Sequence, residues 1–197
     1  MRASLASWIV GLLPWLVPIA AGAQVTVVSG GNPNHLDLSM PVTASVANRC
    51  GFALGGTYTA PEVNAGFSHD FAFVLQCNVP SRVAVESLNG GLLAPGAPPA
   101  GYAAFAPYLV TLNLVGNAGV TAVSANCDAQ ALITNATSPC SFRGPATSGQ
   151  GLRLGGASSN VAGSYLRVSA PVYSGSKKLI ASPAYADTLT VTLSVAL

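Results

Sequence analysis

The sequence predicts an all-β domain, a sandwich or barrel of short strands, held by disulfides and destined for export. Three observations carry that expectation. The C-terminal run Thr188 to Leu197 alternates without a break: Leu189, Val191, Leu193, Val195 and Leu197 share one parity, and Thr188, Thr190, Thr192, Ser194 and Ala196 the other. A period of two puts the apolar side chains on one face of a strand, whereas a helix would scatter them round its axis. No stretch keeps a helical period over three turns, and short alternating runs punctuated by Gly and Pro are typical of sandwiches and barrels. Finally, four cysteines follow an N-terminal export pattern.

That pattern has three parts. Arg2 supplies a positive n-region, Trp8 to Ala20 an apolar h-region, and Ala21-Gly22-Ala23 the small-x-small site of a signal peptidase,. Residues 1–23 are therefore expected to be a cleaved signal, with the mature chain starting at Gln24. A transmembrane anchor needs roughly 20 apolar residues, and this run is shorter and interrupted by Pro14 and Pro18. No later segment is apolar enough over such a length, so stable membrane insertion is not expected.

The next segment is an arm. Gln24 to Ser29 alternates, Gly30-Gly31-Asn32-Pro33-Asn34 breaks the pattern, and Leu36, Leu38, Met40, Val42, Ala44 and Val46 resume it up to Asn48-Arg49-Cys50. Such an arm is either a frayed tail leading into an ordinary first strand, or a strand offered to another molecule.

Further along, Phe71, Phe73, Leu75, Cys77 and Val79 share a parity, and Val83 and Val85 continue after the Pro80-Ser81 break. Asn89-Gly90-Gly91 is a turn signal. Ala94 to Ala100 is expected as an exposed Pro/Gly/Ala loop. Tyr108, Val110, Leu112 and Leu114 form the next strand after Pro107. Gln130 to Gly151, rich in Ser, Thr and Gly, is expected to be irregular and encloses Cys140. Tyr165 to Ala170 and Lys178 to Ala181 are short strands separated by Ser174-Gly175-Ser176. Asp187 stands at the entrance of the last strand, where a carboxylate serves a turn or backbone hydrogen bond.

Charged residues are 7% of the chain, against about 25% in ordinary globular domains. Only Arg2 among them precedes Gln24, leaving seven Lys/Arg against six Asp/Glu. That balance gives no footprint for nucleic acid or an anionic membrane. With so few charges there is little to discourage edge-to-edge association of strands, a composition suited to assembly.

Four cysteines allow three pairings. The most local is Cys50 with Cys77 and Cys127 with Cys140. A zinc site is the rival, but there is no CxxC pair, and His35 and His69 sit far from any Cys-based spacing,. Neither metal nor cofactor is expected.

An enzyme is not expected either. The carboxylates are Asp37, Glu62, Asp70, Glu86, Asp128 and Asp187, and no G-x-S-x-G elbow accompanies them,. His35-x-Asp37 and His69-Asp70 are short-range pairs that read as solvated polar residues. Two other classes compete with a structural subunit. One is a secreted adhesin or glycan-binding module using Tyr102, Phe105 and Tyr108; the other is a small secreted hydrolase.

The C-terminal Tyr185-Ala186-Asp187-Thr188-Leu189-Thr190-Val191-Thr192-Leu193 resembles the Y-x-D-T alternating terminus of the spore coat protein U domain, found in pilin subunits of the archaic, Csu-type chaperone–usher pathway. The alternating strand into Cys50, then Phe73-Val74-Leu75-Gln76-Cys77-Asn78, resembles the family's first two cysteines. Val83-Ala84-Val85 with Leu88-Asn89-Gly90-Gly91 resembles the strand and turn that follow. Cys127 and Cys140 fall outside the matched pattern, and Ala53-Leu54-Gly55-Gly56-Thr57-Tyr58 is a weak form of an aromatic-Gly-x-Tyr segment.

The resemblance implies an immunoglobulin-like β-sandwich lacking one strand, and a Cys50–Cys77 bridge. A periplasmic chaperone would fill the gap first. At an outer-membrane usher, the arm of a neighbouring pilin subunit would replace it. Residues 24–38 would then be the donor arm, with Val25, Val27, Leu36 and Leu38 as donor positions, and residues 39–197 the sandwich domain. Leu189, Val191, Leu193 and Val195 would line the acceptor groove. The expected function is thus a structural subunit of a surface pilus.

Overall fold

The structure, a computed structural model, describes residues 26–28, 37–39, 46–54, 62–182 and 184–196. The expected signal over 1–23, and Val25 and Leu36 of the arm, lie outside the described residues. The chain divides into two compact units, Met1–Val46 and Ala47–Leu197.

In the first unit, β1 (Thr26–Val28) and β2 (Asp37–Ser39) form an antiparallel ladder. Val27 lies directly opposite Leu38. The break between them is the Gly-Gly-Asn-Pro-Asn stretch at 30–34, whose residue types favour a change of chain direction over a continuing strand,.

The second unit is an all-β sandwich. Its strands are β3 (Phe52–Leu54), β4 (Phe67–Cys77), β5 (Ser81–Ser87), β6 (Leu92–Leu93), β7 (Tyr102–Ala103), β8 (Phe105–Ala106) and β9 (Leu109–Leu114). There follow β10 (Val123–Asp128), β11 (Leu152–Leu154), β12 (Ser158–Ser159), β13 (Ser164–Ala170), β14 (Lys178–Leu179) and β15 (Leu189–Val195). The larger sheet runs β10-β9-β13-β4, with β12 pairing the end of β4 beyond β13. Phe73 pairs both Ser164 of β13 and Leu54 of β3, so β3 takes the opposite edge of β4. The smaller sheet is β11-β5-β15. Every ladder in these two sheets is antiparallel.

Alternation puts one face of each sheet into a shared core. Phe73 and Leu75 of β4, Val110, Leu112 and Leu114 of β9, and Leu166 and Val168 of β13 meet Val83 and Val85 of β5 and Leu154 of β11. Burying each such side chain contributes about 1.5–3 kcal/mol. On one side the sandwich is closed, because the edge strands β10 and β11 lie against each other. The other side is bounded by β15 and by β4 with β3.

Both disulfides form in the most local pairing, Cys50–Cys77 and Cys127–Cys140, leaving no free cysteine. The first fastens the segment entering β3 to the end of β4. There Gln76 donates its amide to Gly51 O at 3.0 Å and Asn78 to Arg49 O at 3.1 Å. The second ties β10 to the irregular stretch after it. Disulfides throughout fit an oxidising, extracytoplasmic environment. No helix among the described residues is long and apolar enough to cross a membrane.

Three details depart from the sequence reading. β10 is a strand where none is expected: Val123, Ala125 and Cys127 do alternate with exposed Ser124, Asn126 and Asp128, but two of the inward residues are small. The irregular stretch contributes to the core, since Phe142 is fully buried there and accepts a hydrogen bond from Val85 N at 2.8 Å. The loop at 95–100 is exposed, yet Ala94 is buried where its amide donates to Ala104 O at 2.8 Å.

Candidate functional site

Of the smaller sheet's strands, β15 is the one whose outer edge faces the open side. It pairs β5 over its whole length, with Leu189 opposite Ser87, Val191 opposite Val85, Leu193 opposite Val83 and Val195 opposite Ser81. Among the described residues, no strand pairs its other edge. Leu189, Val191 and Leu193 pack against the core yet stay only partly buried. Val195 is likewise partly buried.

Beside this edge lies a cleft of about 970 Å³. Leu189 and Val191 form one wall, and Phe67 and Phe71 of β4 with Leu166 and Val168 of β13 form the other. Phe71 has the inward parity of Phe73 and Leu75 but is 38% exposed. The cleft walls are largely apolar, and the space between them is wide enough for several side chains.

The closed end of the cleft is polar and tightly bonded. Asp187 Oδ2 accepts from Ser87 Oγ at 2.6 Å, Tyr108 OH at 2.7 Å and Gly91 N at 3.2 Å. Its Oδ1 accepts from Asn89 N at 2.9 Å and Thr188 N at 2.7 Å. Burial, and secondarily the neighbouring Asp187 carboxylate, push the Tyr108 hydroxyl far above its ordinary pKa. The segment around Ile180 crosses nearby: Ile180 N donates to Ala103 O at 3.0 Å, and Tyr185 OH donates to Ile180 O at 3.0 Å. Burial raises the Tyr185 pKa as well.

Other sequence candidates separate in space. The three aromatics do not form one contact face: Tyr108 is buried, Tyr102 is exposed, and Phe105 packs over Gly91. His69 and Asp70, neighbours on β4, belong to opposite faces of the sheet. His69 stacks edge-on with Phe71 at 4.7 Å, while Asp70 takes a bidentate hydrogen bond from Arg167 at 2.6 and 2.8 Å. That bond holds the Asp70 carboxyl below its usual pKa. Both partners are largely solvated, so the pair adds little to stability. Among the described residues, no group of three His, Cys, Asp or Glu is placed to hold a metal ion.

Leu189 and Val191 thus meet in one cleft. Of the arm positions, Val27 and Leu38 face each other across the β1–β2 ladder, and Val25 and Leu36 are outside the described residues. The second wall of the cleft escaped sequence reading. Phe71 carried the core parity, but nothing in a linear pattern shows that a core-facing residue will line a cleft.

Fold and site together define a disulfide-bonded β-sandwich in which, among the described residues, no strand pairs the outer edge of β15 beside an apolar cleft. Comparison with family models, with curated proteins and with solved structures finds no match.

Proposed function

We propose that this chain is a non-catalytic structural subunit of a cell-surface fibre, polymerised by donor-strand exchange. In this reading a periplasmic chaperone first lends a strand to the open side of the sandwich. At an outer-membrane usher, the N-terminal arm of the next subunit then takes its place. The observation that carries the reading is the edge of β15 that no described strand pairs, beside the apolar cleft. An added strand gains backbone hydrogen bonds along β15, and its alternate apolar side chains enter the cleft. Four or five such side chains would contribute on the order of 6–15 kcal/mol, enough for very long-lived links. The alternating arm from Gln24 supplies a strand of the right kind, and the scarcity of charge removes a common barrier to edge pairing.

The test is assembly. Expressed with its chaperone, the mature chain should give a soluble 1:1 complex, and subunits released from it should form SDS-resistant ladders. Deleting Gln24 to Leu38 should keep chaperone binding and abolish the ladders. A mature chain that stays monomeric and forms no ladders after release from the chaperone would overturn the proposal.

A further inference from the structure

The arm contains a ladder of its own, and resting on the fibre reading above, we infer that this ladder guards the donor strand. β1 pairs β2 in cis, and the pairing must open before β2 enters the edge of another copy. Three observations lead there. First, the two arm segments differ in reach. The β15 edge offers seven residues, Leu189 to Val195. The apolar alternation from Leu36 runs on to Val46, whereas Val25 and Val27 are cut off by Gly30-Gly31. The donor is therefore the segment that contains β2.

Second, β2 is already paired, with Thr26 opposite Ser39, Val27 opposite Leu38 and Val28 opposite Asp37. One of its two edges is taken. Third, the open side of the sandwich is bounded on both flanks. β15 lies on one, and β3 occupies the β4 edge over Phe73 to Leu75 on the other. A strand entering the cleft beside β15 has the Phe67 and Phe71 wall of β4 across from it, so a β1 still attached to the donor would meet that wall. The β1–β2 ladder is short, and isolated two-stranded hairpins are marginally stable. It delays pairing of an exposed alternating strand and then yields to a longer ladder with apolar burial.

The experiment uses the full mature chain carrying Thr26→Cys and Ser39→Cys, a directly opposite pair within bridging reach. Ladder formation from the chaperone complex is followed before and after a mild reductant, beside the wild type. With the bridge closed, ladders should fall by about tenfold or more, because the competent state is removed, and reduction should restore them. A second variant, Val27→Pro, weakens the β1 pairing and should speed ladder formation several-fold. Ladders at wild-type rate with the bridge closed would overturn the inference, as would a Val27→Pro variant that slows assembly. A wild-type chain that forms no ladders sinks the fibre reading and this inference with it, and so is told apart from failure of the guard alone.

Discussion

Tyr108 donates a 2.7 Å hydrogen bond from its hydroxyl to the Asp187 carboxylate, joining the start of β9 in one sheet to the entrance of β15 in the other. The same carboxylate holds Ser87 at the end of β5 and the amides of Asn89 and Gly91 in the turn after it. One acidic residue therefore fixes where β15 begins. Replacing it strands several donors at once, and each hydrogen bond to a charged group is worth about 1.5–3 kcal/mol. Asp187→Ala should lower stability by about 3 kcal/mol or more, read as a shift in urea midpoint against wild type.

The same contact sets an alkaline limit. The Tyr108 pKa is raised by burial and by Asp187, so folding favours the neutral phenol. Its contribution is complete below the unfolded value of about 10 and is lost as pH rises toward the folded value. Unfolding free energy should fall with pH above about 10. The slope should be shallower in Tyr108→Phe, although Tyr185, also raised, keeps some of it. Equal slopes in the two proteins would place the titration elsewhere.

Val191 sits opposite Val85, against the core and on the cleft wall. In Val191→Asp the new carboxylate has no basic partner among the described residues lining the cleft and would be buried by any added strand,. The variant should lose about 3 kcal/mol or more and, on the proposed function, fail to bind a chaperone. A normally folded, chaperone-binding Val191→Asp protein would show that the inward face is misassigned.

The two disulfides close loops of different length, with sequence separations of 27 and 13. Loop entropy gives about 3–3.5 kcal/mol for each, slightly more for the longer. Cys50→Ser with Cys77→Ser should therefore cost at least as much as Cys127→Ser with Cys140→Ser. Thermal unfolding of the two double variants tests the order.

Gly90 has a φ of +69°, and a Cβ there would run into the Ile133 side chain. Its amide also donates to Ser87 Oγ at 2.7 Å, inside the Asp187 cluster. Gly90→Ala should cost about 1–3 kcal/mol from backbone strain, with the collision in addition. Circular dichroism melts should show the loss, and an unchanged melting temperature would rule out the strained conformation.

Much of this architecture was legible from parity alone. The β4, β5, β9, β13 and β15 strands all carry large apolar residues at every second position, a signal that survives without knowledge of neighbours. β10 was missed because Ala125 and Cys127 are small, which weakens the alternation. Phe142 was missed because a single core side chain in an irregular stretch has no period to betray it. The site was half legible. Leu189 and Val191 follow from the C-terminal alternation, whereas Phe67, Phe71, Leu166 and Val168 become a wall only when two distant strands are set side by side.

By itself, then, the sequence determined the all-β class, the inward face of β15 and the role of Asp187 at its entrance, because each depends on residues near one another in the chain. The tertiary structure alone decided that β15 is an edge among the described strands and that Phe71 is partly exposed. Whether a strand is central or free depends on which other strands reach it, and pairing partners are chosen across the whole fold, where β10 closes on β11 and no described strand closes on β15.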